Sequence, residues 1–257
     1  MKADKEKNIN LLALETTGKY CSVAVINGAG DIHAKISDSE MNHLRDITQL
    51  SSETIKNAGI DKKNITHVAT SVGPGSFTGI RIGVATARTL SQVMDIPCIG
   101  VSSLESMALK GFDYHLRNIE KKSDEDILVA PIINARRHQT YAGVWKMNDG
   151  KLDSICAPRQ YMIEELIALL NEFGSNILFI GDGIDAYSDI IEKLMPKNKY
   201  SYVDIYNRYN DAGFIAQIAL KKIRKGEITN YEDVVPDYMR ITEAEQKLKE
   251  KNTKKFG

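Results

Sequence analysis

The chain has 257 residues, and its 34 Lys and Arg side chains balance 34 Asp and Glu, so the formal net charge at pH 7 is zero. No overall field attracts nucleic acid or an anionic membrane, so any RNA contact has to be local or made through a partner. The three cysteines, Cys21, Cys98 and Cys156, form no CxxC pair, which favours buried free thiols over a disulfide framework or a thiolate metal site.

The amino end, "MKADKEKNINLLALETTG", is charged and lacks the apolar core of a signal peptide. No apolar stretch reaches the length of about 20 residues that a membrane-spanning helix needs. We therefore expect a cytoplasmic protein with no membrane partner.

The first half of the chain predicts three strands followed by alternating helices and strands. β-branched and apolar residues separated by turn residues indicate strands in "INLLALETT", "YCSVAVING" and "DIHAKIS". Helical spacing of apolar residues predicts helices over 43–58 and 76–94, each followed by a strand. These two strands and the last helix of the half lie in "ITHVATSV", "PCIGVS" and "SLESMALKG".

The second half repeats this order of elements. Its predicted strands are "ILVAPIINA", "QTYAGVWKMNDG", "KLDSICAPR", "NILFIGDG" and "YSYVDIY", and its predicted helices are "MIEELIALLNEF", "IDAYSDIIEKL" and "NDAGFIAQIALKKIRKG". A repeated order at this period indicates duplication of an α/β unit. The predicted fold class is therefore α/β, a duplicated actin-like, ribonuclease-H-like fold of the ASKHA superfamily, each half a mixed five-stranded sheet with flanking helices. We place the halves at 1–118 and 119–240, followed by a polar tail at 241–257.

A glycine-rich stretch, "SVGPGSFTGIRIGVATARTLSQVM", spans residues 71–94. It lacks the lysine of a Walker A loop and the third glycine of a Rossmann loop, so only a weak anion-binding role at the helix start remains. Ser76 is expected to cap this helix. Gly79, Gly83, Ala87 and Ser91 recur every four residues, and such a stripe of small residues favours close approach of a partner helix. The alternative is that the stripe packs inside its own domain.

The preceding predicted helix also carries small residues, Thr48, Ser51 and Ser52, beside the apolar Leu44 and Ile47. This composition suits a bundle in which two helices of the chain meet two helices of a partner. His43 begins the helix and is expected to be a solvated or capping side chain.

The residues needed for ATP hydrolysis are incomplete. The first turn offers Glu15, Thr16, Thr17 and Gly18 as a half-suitable phosphate loop, whereas the second turn, "INARRHQTYAGV", has Asn134 where a metal-bound Asp would stand. Gly181 and Gly183, in "GDGIDAYSD", could approach a nucleotide base or simply form a strand-to-helix turn. Neither a histidine pair with metal-ligand spacing nor a GxSxG elbow is present, so we expect no metal site and no catalytic residue.

Several motifs together resemble the TsaB (YeaZ) family, the accessory subunit of the machinery that makes threonylcarbamoyladenosine in tRNA. In chain order they are "LLALETTGKYCSVAV", "NHLRDITQL", "SVGPGSFTGIRIGVATARTLSQVMDIPCIGVSSLESMA", "INARR" and "PDYMRITEAEQK". The TsaD-type transferase of this machinery carries an HxxxH metal pair just after the counterpart of "PCIGV", where this chain reads "SSLESMALKG". The resemblance therefore implies a non-catalytic subunit.

The same resemblance implies partners and an interface. The chain would bind a TsaD-type transferase together with a TsaE-type ATPase, contact tRNA only through that complex, and form a homodimer when alone. It would need no cofactor of its own, and ATP or ADP would bind at the complex interface. The implied interface residues are His43, Leu44, Ile47, Thr48, Ser51, Ser76, Phe77, Gly79, Ile80, Gly83, Ala87 and Ser91.

Two other functions stay open on the sequence. A small ATP-dependent kinase or ATPase of the same superfold would show Mg²⁺-dependent turnover, and Asn134 counts against it. A purely homo-oligomeric interaction protein would use the same two helices on itself.

Overall fold

The computed structural model describes residues 9–118 and 127–239. The predicted tail, 241–257, and the polar stretch around 119–126 lie outside the described residues. No helix in the described part of the chain is long and apolar enough to cross a membrane.

The first sheet contains five strands in the order β3-β2-β1-β4-β5. Strand β1 pairs antiparallel with β2 and parallel with β4, so the sheet is mixed. The strands are β1 (Leu11–Glu15), β2 (Tyr20–Ile26), β3 (Ile32–Glu40), β4 (His67–Gly73) and β5 (Cys98–Ser102). The helices of this half are α1 (His43–Asn57), α2 (Phe77–Met94) and α3 (Ser103–Asn118).

The second sheet also contains five strands, in the order β10-β9-β6-β7-β8. The strands are β6 (Ile127–Asn134), β7 (Gln139–Asn148), β8 (Lys151–Met162), β9 (Asn176–Ile180) and β10 (Tyr200–Tyr202). The helices are α4 (Ile163–Glu172), α5 (Gly183–Leu194) and α6 (Ala212–Lys225). The predicted duplicated fold, with a mixed five-stranded sheet in each half, is confirmed.

Burial explains why the central strands are apolar throughout. All five residues of β1 are buried, because helices α1 and α2 cover one face of its sheet and α6 covers the other. Strand β3 lies at the edge, and most of its residues are exposed or half-buried. A strand that is apolar throughout, such as β1, therefore lies at the centre of the sheet, and a strand of mixed polarity, such as β3, lies at its edge.

Helices α3 and α6 cross between the two halves. Helix α3 packs mainly against β6, β7 and β9, whereas α6 packs against β1, β2, β4 and β5. The segment after α6 stays with the first sheet, since Thr229 pairs with Cys98 and the Asp237 N–H donates to the Val72 carbonyl over 2.8 Å. Each half therefore contributes a helix that packs on the sheet of the other half.

Candidate functional site

The turn between β1 and β2 is tied into the fold by Glu15. One carboxylate oxygen of Glu15 accepts from the Thr17 hydroxyl over 2.6 Å and from the Gly18 N–H over 3.3 Å, and the other accepts from the Asn210 amide over 2.6 Å. Glu15 and Thr16 are fully buried, and desolvation raises the pKa of the Glu15 carboxyl. Both oxygens of Glu15 are therefore engaged in hydrogen bonds within the fold.

The glycine-rich loop packs directly against this turn. The Ser76 N–H donates to the Thr17 carbonyl over 2.8 Å, and the Ser76 hydroxyl accepts from the Gly79 N–H over 3.2 Å, which confirms the predicted cap of α2. A Cβ atom on Gly75 would lie 2.6 Å from the Thr17 carbonyl oxygen. Glycine is needed at position 75 because the loop backbone lies directly against the backbone of Thr17. The N–H groups of Ser76 and Gly79 already donate hydrogen bonds within the chain.

The stripe of small residues on α2 faces the chain's own first sheet. Gly79, Gly83, Ala87 and Ser91 are all buried. A Cβ atom on Gly79 would lie 1.9 Å from the Thr16 carbonyl oxygen, and one on Gly83 would lie 2.4 Å from the Thr16 hydroxyl. The interpretation that this stripe is open to a partner helix is wrong, because α2 needs it to lie close to β1 and β4.

Exposed residues on α1 and α2 form a different surface, which we call the outer face. It consists of Leu44, Thr48 and Ser52 on α1 and of Phe77, Ala85 and Thr89 on α2. Leu44 is 73% exposed and Phe77 is 46% exposed. Of the interface residues predicted from the resemblance, Leu44, Thr48 and Phe77 lie on this face, Ser51 and Ser76 are half-buried, and His43, Ile47 and Ile80 are buried.

His43 is buried instead of being solvated as predicted. Only 2% of its surface is exposed, and neither ring nitrogen has a hydrogen-bond partner. Burial lowers the pKa of His43, although the Gly18 backbone and the Asp46 carboxylate oppose this shift. A neutral imidazole therefore fills the space at the start of α1.

The second half presents a matching set of turns. Asn134 ends β6, and its side-chain oxygen accepts from the Arg136 N–H over 2.8 Å and from the Tyr187 hydroxyl over 3.0 Å. Asp182 accepts from the Asn134 N–H over 3.0 Å, and burial raises the pKa of its carboxyl. The Asn134 side chain thus stabilises its own turn.

Gly181 and Gly183 pack against the backbone of β6. Cβ atoms at these positions would lie 2.1 Å and 2.8 Å from the Ile132 carbonyl oxygen. Of the two predicted alternatives, the strand-to-helix turn accounts for both glycines. The intervening Asp182 lines the space between the halves.

A cleft of about 940 Å³ lies between the halves, where the turns after β1, β4, β6 and β9 meet. Its polar lining includes Thr17, Lys19, Ser76, Asn134, Arg136, Asp182, Asp185, Arg208, Asn210 and Asp237. Arg208 forms an ion pair with Asp185, and the Nζ atom of Lys19 lies 2.7 Å from Oε1 of Glu40. Within residues 9–118 and 127–239 no group of three or more His, Cys, Asp or Glu side chains is arranged to hold a metal ion. The lining of the cleft therefore carries both positive and negative side chains, and neighbouring turns that form it are hydrogen-bonded to one another.

Sequence reasoning missed the residues that close this cleft from distant parts of the chain. The Tyr238 ring stacks on Phe77 with centroids 4.9 Å apart, and its hydroxyl accepts from the Arg81 Nε over 3.0 Å. Asn210 reaches Glu15 across a long separation in sequence. Asn210 lies in no periodic pattern, and its nearest local signal is Asp211, the N-cap of α6. Tyr238 stands in the motif "PDYMRITEAEQK", but the motif alone did not indicate its contact with Phe77.

Comparisons with known proteins agree over nearly the whole chain. A family model described as "TsaD: tRNA N6-adenosine threonylcarbamoyltransferase" matches residues 34–248. The tRNA threonylcarbamoyladenosine biosynthesis protein TsaB of Bacillus subtilis is 27% identical over 248 residues, which cover 93% of this chain and 97% of that protein. Its namesake in Haemophilus influenzae is 27% identical over 191 residues, covering 73% of this chain and 78% of that protein.

A solved structure shows the same fold. YeaZ from Pseudomonas aeruginosa has a TM-score of 0.74 at 22% identity, with 90% of this chain and 99% of that chain covered. A probable mitochondrial tRNA N6-adenosine threonylcarbamoyltransferase of Arabidopsis thaliana is 26% identical, but only over 40% of this chain and 25% of that protein. The full-length likeness is to TsaB proteins, and the chain belongs to the TsaB (YeaZ) family.

Proposed function

We propose that this chain is a non-catalytic subunit in the biosynthesis of N6-threonylcarbamoyladenosine at position 37 of tRNA. Its role is to bind and support a TsaD-type transferase, with a TsaE-type ATPase as a further partner. The packing of the turns around the cleft supports a non-catalytic role. Glu15 is hydrogen-bonded to Thr17 and Asn210, and the Asn134 side chain is hydrogen-bonded within its own turn. A cytoplasmic location and tRNA contact only through the complex belong to the same proposal.

The proposal that the chain binds a partner rests on the outer face of α1 and α2. The six side chains that define it are small or apolar, namely Thr48, Ser52, Ala85 and Thr89 beside Leu44 and Phe77, and all six are exposed in the single chain. The exposed Arg81 lies between Phe77 and Ala85 on α2, with its Cζ 3.9 Å from the centre of the Phe77 ring. Small residues let helices approach closely, and exposed apolar residues gain free energy when a partner covers them. The same face would pair two copies of the chain when the transferase is absent, and ATP or ADP would bind only at the interface of the complex.

Light scattering after size exclusion tests this assignment, on the chain alone and mixed with its cognate TsaD-type protein. We expect the wild-type chain to form a mixed complex, and we expect Ala85→Arg to abolish it because a long charged side chain would stand between the helices. Ala29→Arg is the matched control, since Ala29 is also exposed but lies in the turn between β2 and β3. Normal binding by a folded Ala85→Arg chain would exclude the outer face.

A second assay separates the accessory role from an enzymatic one. Threonylcarbamoyladenosine formed on tRNA by the reconstituted proteins is measured by nucleoside mass spectrometry, with and without this chain. We expect product only in its presence and a large loss with Ala85→Arg. Mg²⁺-dependent ATP turnover by the isolated chain would instead favour the kinase or ATPase alternative.

A further inference from the structure

A network of buried polar side chains beneath the cleft joins helix α3, which packs mainly on the second sheet, to the first sheet and to the segment before α6. We call it the inter-sheet network, and it consists of Glu15, Thr17, Ser103, Ser106 and Asn210. Glu15 and Thr17 belong to the first sheet and its turn, whereas Ser103 and Ser106 lie on α3, which packs against the second sheet. Asn210 stands just before α6.

Three hydrogen bonds of the network join parts of the chain that are far apart in sequence. The Asn210 side-chain amide donates to Glu15 Oε2 over 2.6 Å, and its oxygen accepts from the Ser106 hydroxyl over 2.7 Å. The Thr17 and Ser103 hydroxyl oxygens lie 2.9 Å apart. One side chain, Asn210, therefore bridges the end of β1 to the first turns of α3.

A second connection lies one turn further along α3. The Lys110 ammonium donates to the Tyr209 carbonyl over 2.6 Å and to the Asp211 carboxylate over 2.7 Å. Asp211 also caps α6, because its other oxygen accepts from the Gly213 N–H over 3.0 Å. Helix α3, packed on the second sheet, is thereby bound to the start of α6, which is packed on the first.

Burial makes these bonds costly to break. Glu15, Ser103 and Ser106 are fully buried and Asn210 is 8% exposed, so a separated group would lose its partner without gaining water. A buried polar group left without a partner destabilises the folded chain. Thr17, Tyr209 and Asn210 also line the cleft. A rotation that moves α3 together with the second sheet would therefore have to break the network.

We infer that the inter-sheet network, with Asn210 at its centre, fixes the angle between the two sheets and holds the cleft at one width. Glu15, the carboxylate that stands at the first turn, acts here as an acceptor that joins the halves. The cleft does not close on a ligand as a hinged site would. This inference concerns the isolated chain and does not depend on the proposed function.

Distances across the cleft test the inference. Spin labels on Thr78→Cys and Tyr206→Cys report cleft width, because Thr78 lines one side and Tyr206 is exposed two residues from Arg208 on the other. The half-buried Cys156 is replaced by serine, while Cys21 and Cys98 are buried. Double electron–electron resonance should give one narrow distance distribution for the otherwise wild-type chain.

Substitutions at two positions of the network predict different outcomes. Asn210→Leu keeps the approximate size of the side chain and removes both bonds, so we expect a shift to longer and broader distances, while the Lys110 contacts keep the chain folded. Glu15→Gln should retain the narrow distribution, because the Asn210 amide can turn over and the Ser106 hydroxyl can accept instead of donating. Circular dichroism verifies that each variant is folded.

The inference is overturned by a broad distribution in the wild-type chain, by an unchanged distribution in folded Asn210→Leu, or by opening in Glu15→Gln as large as that in Asn210→Leu. If Asn210→Leu does not fold, Ser106→Ala removes only one donor of the same network. Broadening in that variant supports the inference, and an unchanged distribution overturns it.

Discussion

His43 shows how a single buried side chain links stability to pH. Its ring is 2% exposed and has no hydrogen-bond partner, and burial lowers its pKa below the ordinary value. The protonated form is thus favoured in the unfolded chain, so the contribution of His43 to stability is present above the unfolded pKa of about 6.5 and is lost as pH falls below it.

We predict that His43→Leu reduces the loss of folding stability at acidic pH. Leucine fills a similar space without a polar atom that needs a partner, so the variant should be at least as stable as the wild type near pH 5. Urea denaturation at several pH values between 7.5 and 5 would measure the free energy of unfolding. His67 and His115, whose pKa values burial also lowers, remain in both chains, so only the difference between the two curves belongs to His43. Parallel curves would contradict the assignment.

Helix α2 shows at the level of an element what a small-residue stripe can and cannot predict. The recurrence of Gly79, Gly83 and Ala87 indicates that some surface comes very close, but not which surface. In the structure that surface is formed by Thr16, in the turn after β1, and by Thr70 on β4. Strand and helix positions were predictable because period and turn residues are local, whereas the crossing of α3 and α6 depends on contacts between distant elements.

We predict that Gly83→Ala destabilises the chain by about 1–3 kcal/mol, the usual cost of overpacking. Its Cβ atom would lie 2.4 Å from the Thr16 hydroxyl oxygen and 2.9 Å from that of Thr70, so α2 has to move away from the sheet. Urea denaturation followed by circular dichroism measures the change. Gln92→Ala changes an exposed side chain of the same helix outside the outer face and should change stability little. Equal stability of Gly83→Ala and wild type would show that the contact is not tight.

At the level of the whole molecule, the two halves share their covering helices. Removing the second half would leave β1 and β4 without α6, and removing the first would leave β6 and β9 without α3. The duplicated order of elements was readable from the sequence, but the packing of α3 and α6 on the opposite sheets was not. Exchange of helices instead predicts that the first and second sheets unfold in one cooperative transition.

The single tryptophan makes this coupling measurable. Trp145 is 4% exposed on β7 of the second sheet, whereas Val68 is fully buried on β4 of the first. Val68→Ala opens a small cavity in the first core, and we expect it to lower the free energy of unfolding by about 1–3 kcal/mol. Because the sheets unfold together, the urea midpoint reported by Trp145 fluorescence should fall by the same amount as that reported by far-ultraviolet circular dichroism. Asn57→Ala, at an exposed position of α1 outside the outer face, should leave both midpoints in place. A Trp145 transition that ignores Val68→Ala would mean that the second sheet unfolds independently, and α3 and α6 would then not couple the halves.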